Sequence, residues 1–267
     1  MDSTVSISAL LLAGSRNAQD PVAQIRGVTN KVLAKVAGEP MIVRVLHSLE
    51  KATTVQKLIL CGPSAETVSH HPFLQTLIES QKVYWVSPGQ GPSLSVRAVL
   101  DQYPGDLPLL ITTADHALLS PEMIDFFVKQ ASRESVDVAV GMVSYPLVAS
   151  AYPGAKRTVL RFKGEGFCGC NLFMFFTPKA KELVTFWSQV EQERKHPLRL
   201  IKRLGIVALL RYLLGRLTLR EALNHVGRRL DVRIKEILLP FPEAAVDVDS
   251  PEDLELVERI LSQRKCS

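Results

Sequence analysis

The chain has 267 residues, 46% hydrophobic and 6% aromatic, with a formal net charge of +5 and a sequence pI near 9.0. This length supports one large α/β domain with a full core, while so few aromatic rings argue against base stacking and hence against nucleic acid as a partner. Cys61, Cys168, Cys170 and Cys266 lack paired CxxC spacing, the first residues lack a basic signal-peptide start, and no apolar run reaches the roughly 20 residues that span a bilayer, so a cytoplasmic protein is expected.

Apolar runs rich in aliphatic residues predict strands over 5–12, 56–61, 82–86, 107–113, 136–142, 167–176 and 232–239. Amphipathic stretches between them predict helices over 39–51, 64–79, 92–102, 120–132, 177–191, 197–214, 218–229 and 250–263. Alternation of this kind implies a largely parallel sheet covered on both faces. Ser120-Pro121-Glu122 and Ser250-Pro251-Glu252-Asp253 are helix starts, because a hydroxyl cap, a proline without an N–H and early acids each suit a helix N-terminus.

The first strand empties into Ala13-Gly14-Ser15-Arg16, and Lys31 follows beyond a loop from Asn17 to Thr29. Backbone N–H groups at such a turn, with one forked and one mobile cation, suit phosphate oxygens. A plain surface loop with two solvated cations is the competing reading. No Walker Gly-Lys-Ser/Thr and no dinucleotide glycine pattern is present. Gly14 is expected to permit close backbone approach.

Asp115 ends the buried run Leu109-Leu110-Ile111-Thr112-Thr113-Ala114, at the strand edge where open α/β sheets bind ligands, so it can hold a hard cation such as Mg²⁺. A turn or helix-cap role competes. His116 reads as a shell residue. In Val246-Asp247-Val248-Asp249 an extended backbone would project Asp247 and Asp249 to one side, to share a cation, while Asp249 could instead reinforce the helix that Ser250 starts.

Gly89-Gln90-Gly91-Pro92-Ser93-Leu94-Ser95 reads as a turn with Ser93 as N-cap, beside which a base or ribose could lie. Gly164 to Asn171 suggests either backbone apposed to a ligand or a β-bulge. Cys168 and Cys170 would share a strand face, with no second pair to complete a zinc set. From Arg194 to Arg229 cations alternate with aliphatics and Glu221 is the sole acid. Leu198, Ile201, Leu204, Ile206, Leu209, Leu210, Leu213 and Leu214 form one broad face, with Lys202, Arg203, Arg211 and Arg216 toward the other. This 194–230 helical insertion could pack on the sheet, form a homodimer interface, or receive an anionic acceptor or a membrane surface through Arg199, Lys202, Arg203, Arg211, Arg228 and Arg229.

Taken together, Leu12-Ala13-Gly14, Lys31-Val32-Leu33 with Gly38-Glu39-Pro40-Met41, Ser95-Val96-Arg97, Asp115 and Asp247 or Asp249 before Pro251-Glu252-Asp253-Leu254 resemble the MobA-like nucleotidyltransferase superfamily. The resemblance runs from Leu10 to Leu254 and is thinnest over the basic helices. It implies a single Rossmann-like three-layer α/β sandwich with a mostly parallel mixed sheet, spanning 1–267. It also implies Mg²⁺-dependent transfer of a nucleoside monophosphate from an NTP to a phosphorylated small-molecule acceptor. In that scheme Leu12, Ala13, Gly14, Ser15 and Ser95 bind the nucleotide, Arg16 and Lys31 stabilise developing charge, and Asp115 with Asp247 or Asp249 holds the metal. The first loop departs from the usual Leu-Ala-Gly-Gly form, so Arg16 or Arg26 can be the loop arginine. A glycosyltransferase using Asp247-Val248-Asp249, and a nucleotide-binding regulator without turnover, are the alternatives.

Overall fold

A computed structural model of the protein describes residues 5–15, 20–193 and 206–266. Its main sheet has eight strands. These are β1 (Ile7–Leu12), β4 (Val55–Cys61), β5 (Tyr84–Val86), β6 (Leu109–Thr113), β7 (Val138–Ser144), β8 (Leu160–Phe162), β9 (Glu165–Phe175) and β10 (Ile234–Leu238). The spatial order is β10-β7-β9-β6-β1-β4-β5, with β8 paired to β9. Strand β1 is parallel to β4 and β6, β4 to β5, and β7 to β10, whereas β9 runs antiparallel to β6, β7 and β8. One reversed strand therefore sits inside an otherwise parallel sheet, as expected for a mixed three-layer α/β fold.

The strand period of two sorts β1 between the layers. Ile7, Ala9 and Leu11 face a core shared with α2 (Met41–Lys51), α4 (Pro72–Glu79) and α6 (Pro121–Ser132), while Leu10 and Leu12 face α5 (Pro92–Gln102) and α8 (Ala180–Glu193). Helix α2 buries Met41, Ile42, Val45, Leu46 and Leu49, the i, i+1, i+4, i+5, i+8 stripe of an amphipathic helix. Burying each such aliphatic side chain contributes about 1.5–3 kcal/mol, so Leu10→Ala, at a fully buried site, costs about 2–5 kcal/mol once the cavity is included. A third cluster joins α11 (Pro251–Cys266) to Val22 of α1 (Pro21–Arg26), Met41 and Val246.

Each predicted strand is present, and so is each predicted helix within the described residues, with three differences. The helix read over 64–79 is two, α3 (Ala65–Ser69) and α4, because Pro72 has no N–H to continue the first. The loop read over Asn17 to Thr29 contains α1, capped by the Asp20 carboxylate on the N–H groups of Val22 and Ala23. Ser93 is not an N-cap: Pro92 takes the first helical position of α5, Gly91 is the cap, and Ser93 lies buried inside the helix. Short elements that periodicity does not register are β2 (Lys35–Val36), β3 (Glu39–Pro40), β8 and α7 (Tyr145–Ala151).

The insertion contributes α9 (Ile206–Leu213) and α10 (Leu219–Leu230). Thr218 and Glu221 form a reciprocal capping box at the start of α10. Residues 194–205, which carry Arg199, Lys202 and Arg203, lie outside the described residues, as does Arg16.

Candidate active site

The C-terminal ends of β1 and β6 are tied together where Ala114 N–H donates to Leu12 C=O at 2.9 Å. Val248 N–H donates to Asp115 C=O at 3.1 Å and straps the late acidic segment onto the same place. Beneath the first loop, Ala13 is buried and its N–H donates to Cys61 C=O. Among the glycines at this point, Gly62 packs closest on the backbone of the first loop. A Cβ on Gly62 would lie 2.8 Å from Gly14 N, and its φ of +88° is itself unfavourable for a side chain, whereas a Cβ on Gly14 meets only Pro88 Cβ at 3.4 Å.

These segments enclose a cleft of about 600 Å³. Leu12, Gly14, Ser15 and the Gly89–Gly91 loop line it together with Lys31, Asp115, Asn171, Asp247 and Asp249. The Ser95 hydroxyl lines the cleft and accepts the Gly89 N–H at 3.0 Å, folding that loop onto the start of α5. A larger surface cavity of about 810 Å³, lined by His47, Glu50 and Phe73 among others, contains none of the residues singled out in the sequence. Position at the sheet edge and convergent charge favour the smaller cleft.

Lys31 starts a short 3₁₀ turn whose Asn30 side chain accepts the Val32 N–H and whose Val32 and Leu33 are buried, so the turn is pinned and its lysine aimed inward. The Lys31 ammonium donates to Asp115 Oδ2 at 2.8 Å and to Asp249 Oδ1 at 2.7 Å. Burial opposes its charge, but the two carboxylates outweigh that and raise its pKa above the ordinary lysine value. Burial likewise opposes ionisation of Asp115, and the Lys31 ammonium reverses the balance and keeps its carboxyl below the usual range. Asp115 is not the cap of α6, a role taken by Ser120, whose hydroxyl accepts the Met123 N–H. The Thr113 hydroxyl helps to favour the Asp115 anion, yet Oδ1 is buried without a well-formed hydrogen bond.

Asp247 and Asp249 have separate partners. Asp247 Oδ2 accepts from Asn171 Nδ2 at 3.1 Å, and Oδ1 from Arg157 Nη1 at 3.3 Å. The Asp247 pKa is pushed up to about 6 by burial and then by the neighbouring Asp249 and Asp115 charges. Asp249, with a side chain 67% exposed, pairs with Lys31. Its proposed service to the last helix belongs to Asp253, whose Oδ2 accepts from the backbone of Asp249 and Ser250 and from the Ser250 hydroxyl.

Arg157 was not legible in the sequence. Its side chain, 6% exposed, reaches Asp247 with one guanidinium nitrogen and Asp253 with the other. It comes from the irregular stretch before β8, where no periodicity marks it. Asn171 occupies the point where the β7–β9 register slips, with φ of +50°, so the bulge turns its amide toward Asp247. Arg26 is drawn away to Glu258 of α11 and takes no part in the cleft. His116 is buried, as a shell residue would be, and burial pushes its pKa down to about 4. Cys168 and Cys170 share a buried face.

The family described as MobA-like NTP transferase domain matches residues 9–231. The chain belongs to that family. As a MobA-like NTP transferase it is a nucleotidyltransferase in kind. A structure described as a hypothetical transferase from Thermus thermophilus is 27% identical, with a TM-score of 0.76, and the match covers 94% of this chain and 100% of that one. The fold is shared with CMP:2-keto-3-deoxy-manno-octonic acid synthetase complexed with CTP (11% identity, TM-score 0.58, coverage 97% and 99%). It is also shared with 4-diphosphocytidyl-2C-methyl-D-erythritol synthase from Anaerococcus prevotii (9% identity, TM-score 0.59, coverage 97% of each chain). A search of curated protein sequences returned no match.

Proposed function

We propose that this NTP transferase moves a nucleoside monophosphate from an NTP to a phosphorylated small molecule and releases pyrophosphate. A phosphate oxygen of the acceptor forms a bond to the α-phosphorus, the bond from that phosphorus to the α,β-bridging oxygen breaks, and pyrophosphate leaves with the electron pair. An acceptor phosphate is already anionic, so no side chain need act as base. Positioning and charge neutralisation carry the rate. The observation that supports this most is the Lys31–Asp115–Asp249 junction in one cleft with Gly14, Ser15 and Asp247.

The residues present fit a Mg²⁺ ion. Asp115 Oδ1 is a buried carboxylate oxygen with no formed hydrogen bond, and Asp247 faces it from the strapped segment. Among the described residues no three His, Cys, Asp or Glu side chains converge closely enough to hold a metal alone. Two protein carboxylates are enough for such an ion, which would take its remaining ligands from water and substrate phosphates. Asp115 and Asp247 would hold it, and when bound it neutralises charge on the phosphates.

The remaining roles follow from this chain's own groups. Lys31 supplies a mobile cation whose present partners are carboxylates, so triphosphate oxygens can compete for it. The Gly14–Ser15 turn faces the phosphates, and the Gly89–Gly91 loop, fixed by Ser95, meets the nucleoside. Arg157 and Asn171 fix the Asp247 carboxylate from behind. Asp249 pairs with Lys31 at the exposed side of the cleft.

The test is pyrophosphate release with Mg²⁺, each NTP in turn and a panel of phosphorylated acceptors. Turnover that requires both substrates is expected. Saturable NTP binding with no release across the whole panel would replace the enzyme reading with the regulatory one.

A further inference from the structure

The helical excursion after α8 has no part in the proposed transfer, and its surface departs from the burial pattern of the other helices. Helix α9 is seated through Tyr212, whose ring meets Phe162 of β8 edge-on at 5.4 Å and packs on the cluster that includes Met142 and Leu217. A helix turns by about 100° per residue, so Leu210, Leu213 and Leu214 share a face directed away from Tyr212. They are 51%, 69% and 65% exposed, and Leu213 and Leu214 exceed every other large hydrophobic residue among those described.

Charge along the described part of this stretch is one-sided. Arg211, Arg216, Arg220, Arg228 and Arg229 are exposed across 206–230. The single acid of this stretch, Glu221, is already taken by Arg211 at 2.6 Å. Arg216, Arg220 and Arg229 form no ion pair among the described residues.

We infer that this face docks on an anionic lipid surface. Exposed aliphatic side chains with Arg211 and Arg216 next to them in the chain, in a stretch that carries three further exposed arginines, match an apolar phase lying beneath a layer of phosphates. A second copy would bring like charges together, which opposes self-association through the same face. No helix among the described residues is long and apolar enough to cross a membrane. The excursion leaves the domain at the end of α8, where Glu191 accepts a hydrogen bond from the Ser93 hydroxyl just behind the Gly91–Pro92 rim of the cleft. Docking does not depend on the transfer reaction.

Co-sedimentation of the full chain with phosphatidylglycerol-containing vesicles, against pure phosphatidylcholine vesicles, tests it. Wild-type protein is expected to pellet with the anionic vesicles at low salt and to be released at high salt. Leu210→Ser/Leu213→Ser/Leu214→Ser and Arg216→Gln/Arg220→Gln/Arg229→Gln are each expected to weaken binding at least about tenfold. Both variants should keep the wild-type melting temperature and NTP binding, because none of these residues lines the cleft. The inference is overturned by wild-type protein that stays in the supernatant at low salt, by equal binding to neutral vesicles, or by a leucine variant that binds as wild type. A wild-type dimer that ignores vesicles and becomes monomeric in the leucine variant would assign the face to a second copy and overturn it equally.

Discussion

The two ends of the sheet each hold a buried carboxylate centre, and the two are built oppositely. At the N-terminal end of β7, Asp137 accepts from Thr177 Oγ1 at 2.9 Å, from the Arg233 backbone at 2.8 Å and from its guanidinium at 3.1 and 3.3 Å. Those Arg233 hydrogen bonds hold its pKa down to about 2. At the C-terminal end of β6, Asp115, Asp247 and Asp249 crowd one cleft, Asp115 keeps an oxygen without a formed hydrogen bond, and Asp247 is pushed up to about 6. A carboxylate with every lone pair matched joins elements together. Carboxylates that repel one another hold unspent capacity for a cation or a ligand. Within one sheet, then, one acid is used up in joining elements, and the others are those to which the proposed function assigns binding.

The largest effect that would break this contrast is at Asp115. Asp115→Asn is expected to lower kcat for NTP-dependent pyrophosphate release by about 10²–10³-fold, with the fold retained by circular dichroism. An active Asp115→Asn enzyme would remove the residue from the chemistry. Lys31→Met comes next: loss of a charge-assisted contact to phosphate should reduce kcat/KM by about 10–100-fold. Titration calorimetry with NTP would show whether that loss lies in binding.

Asp137→Asn should do the reverse. A loss of about 1–3 kcal/mol of stability in urea unfolding is expected, with kcat per folded molecule unchanged. The pH dependence follows from the sign of the shift. A carboxyl near 2 when folded and about 3.9 when unfolded contributes stability fully above pH 4, lost as pH falls toward 2. Asp137→Asn should therefore flatten the acid limb of the stability curve; an unchanged limb would assign it to other acids. Smallest is Asp249→Asn, whose exposed pair with Lys31 is worth about 0.2–1 kcal/mol, so a few-fold change in kcat/KM sharpens the division of labour from Asp247.

Much of this was readable before any coordinate. Long aliphatic runs located the seven predicted strands, and the positions of Lys31, Asp115, Asp247 and Asp249 relative to those runs placed four cleft residues. Local sequence marks such residues because each follows directly from a strand end or a capped turn. Arg157 and Asn171 were not readable as side-chain contributors, because one lies in an irregular stretch and the other is turned by a register slip. Their roles arise only when β9 threads between β6 and β7. Gly62 escaped for the same reason: its need for a bare Cα comes from the Ala13–Gly14 backbone, far away in sequence.

The hydrogen bond from Val248 N–H to Asp115 C=O joins the middle of the chain to nearly its last fold element. The acidic centre is therefore assembled from segments far apart in sequence, with the end of β6 and the Lys31 turn supplying one half. The second half arrives when residues 247–249 are laid against Asp115 and α11 closes behind them. Completing the cleft and packing α11 against Val246 and Val248 are in this way a single event.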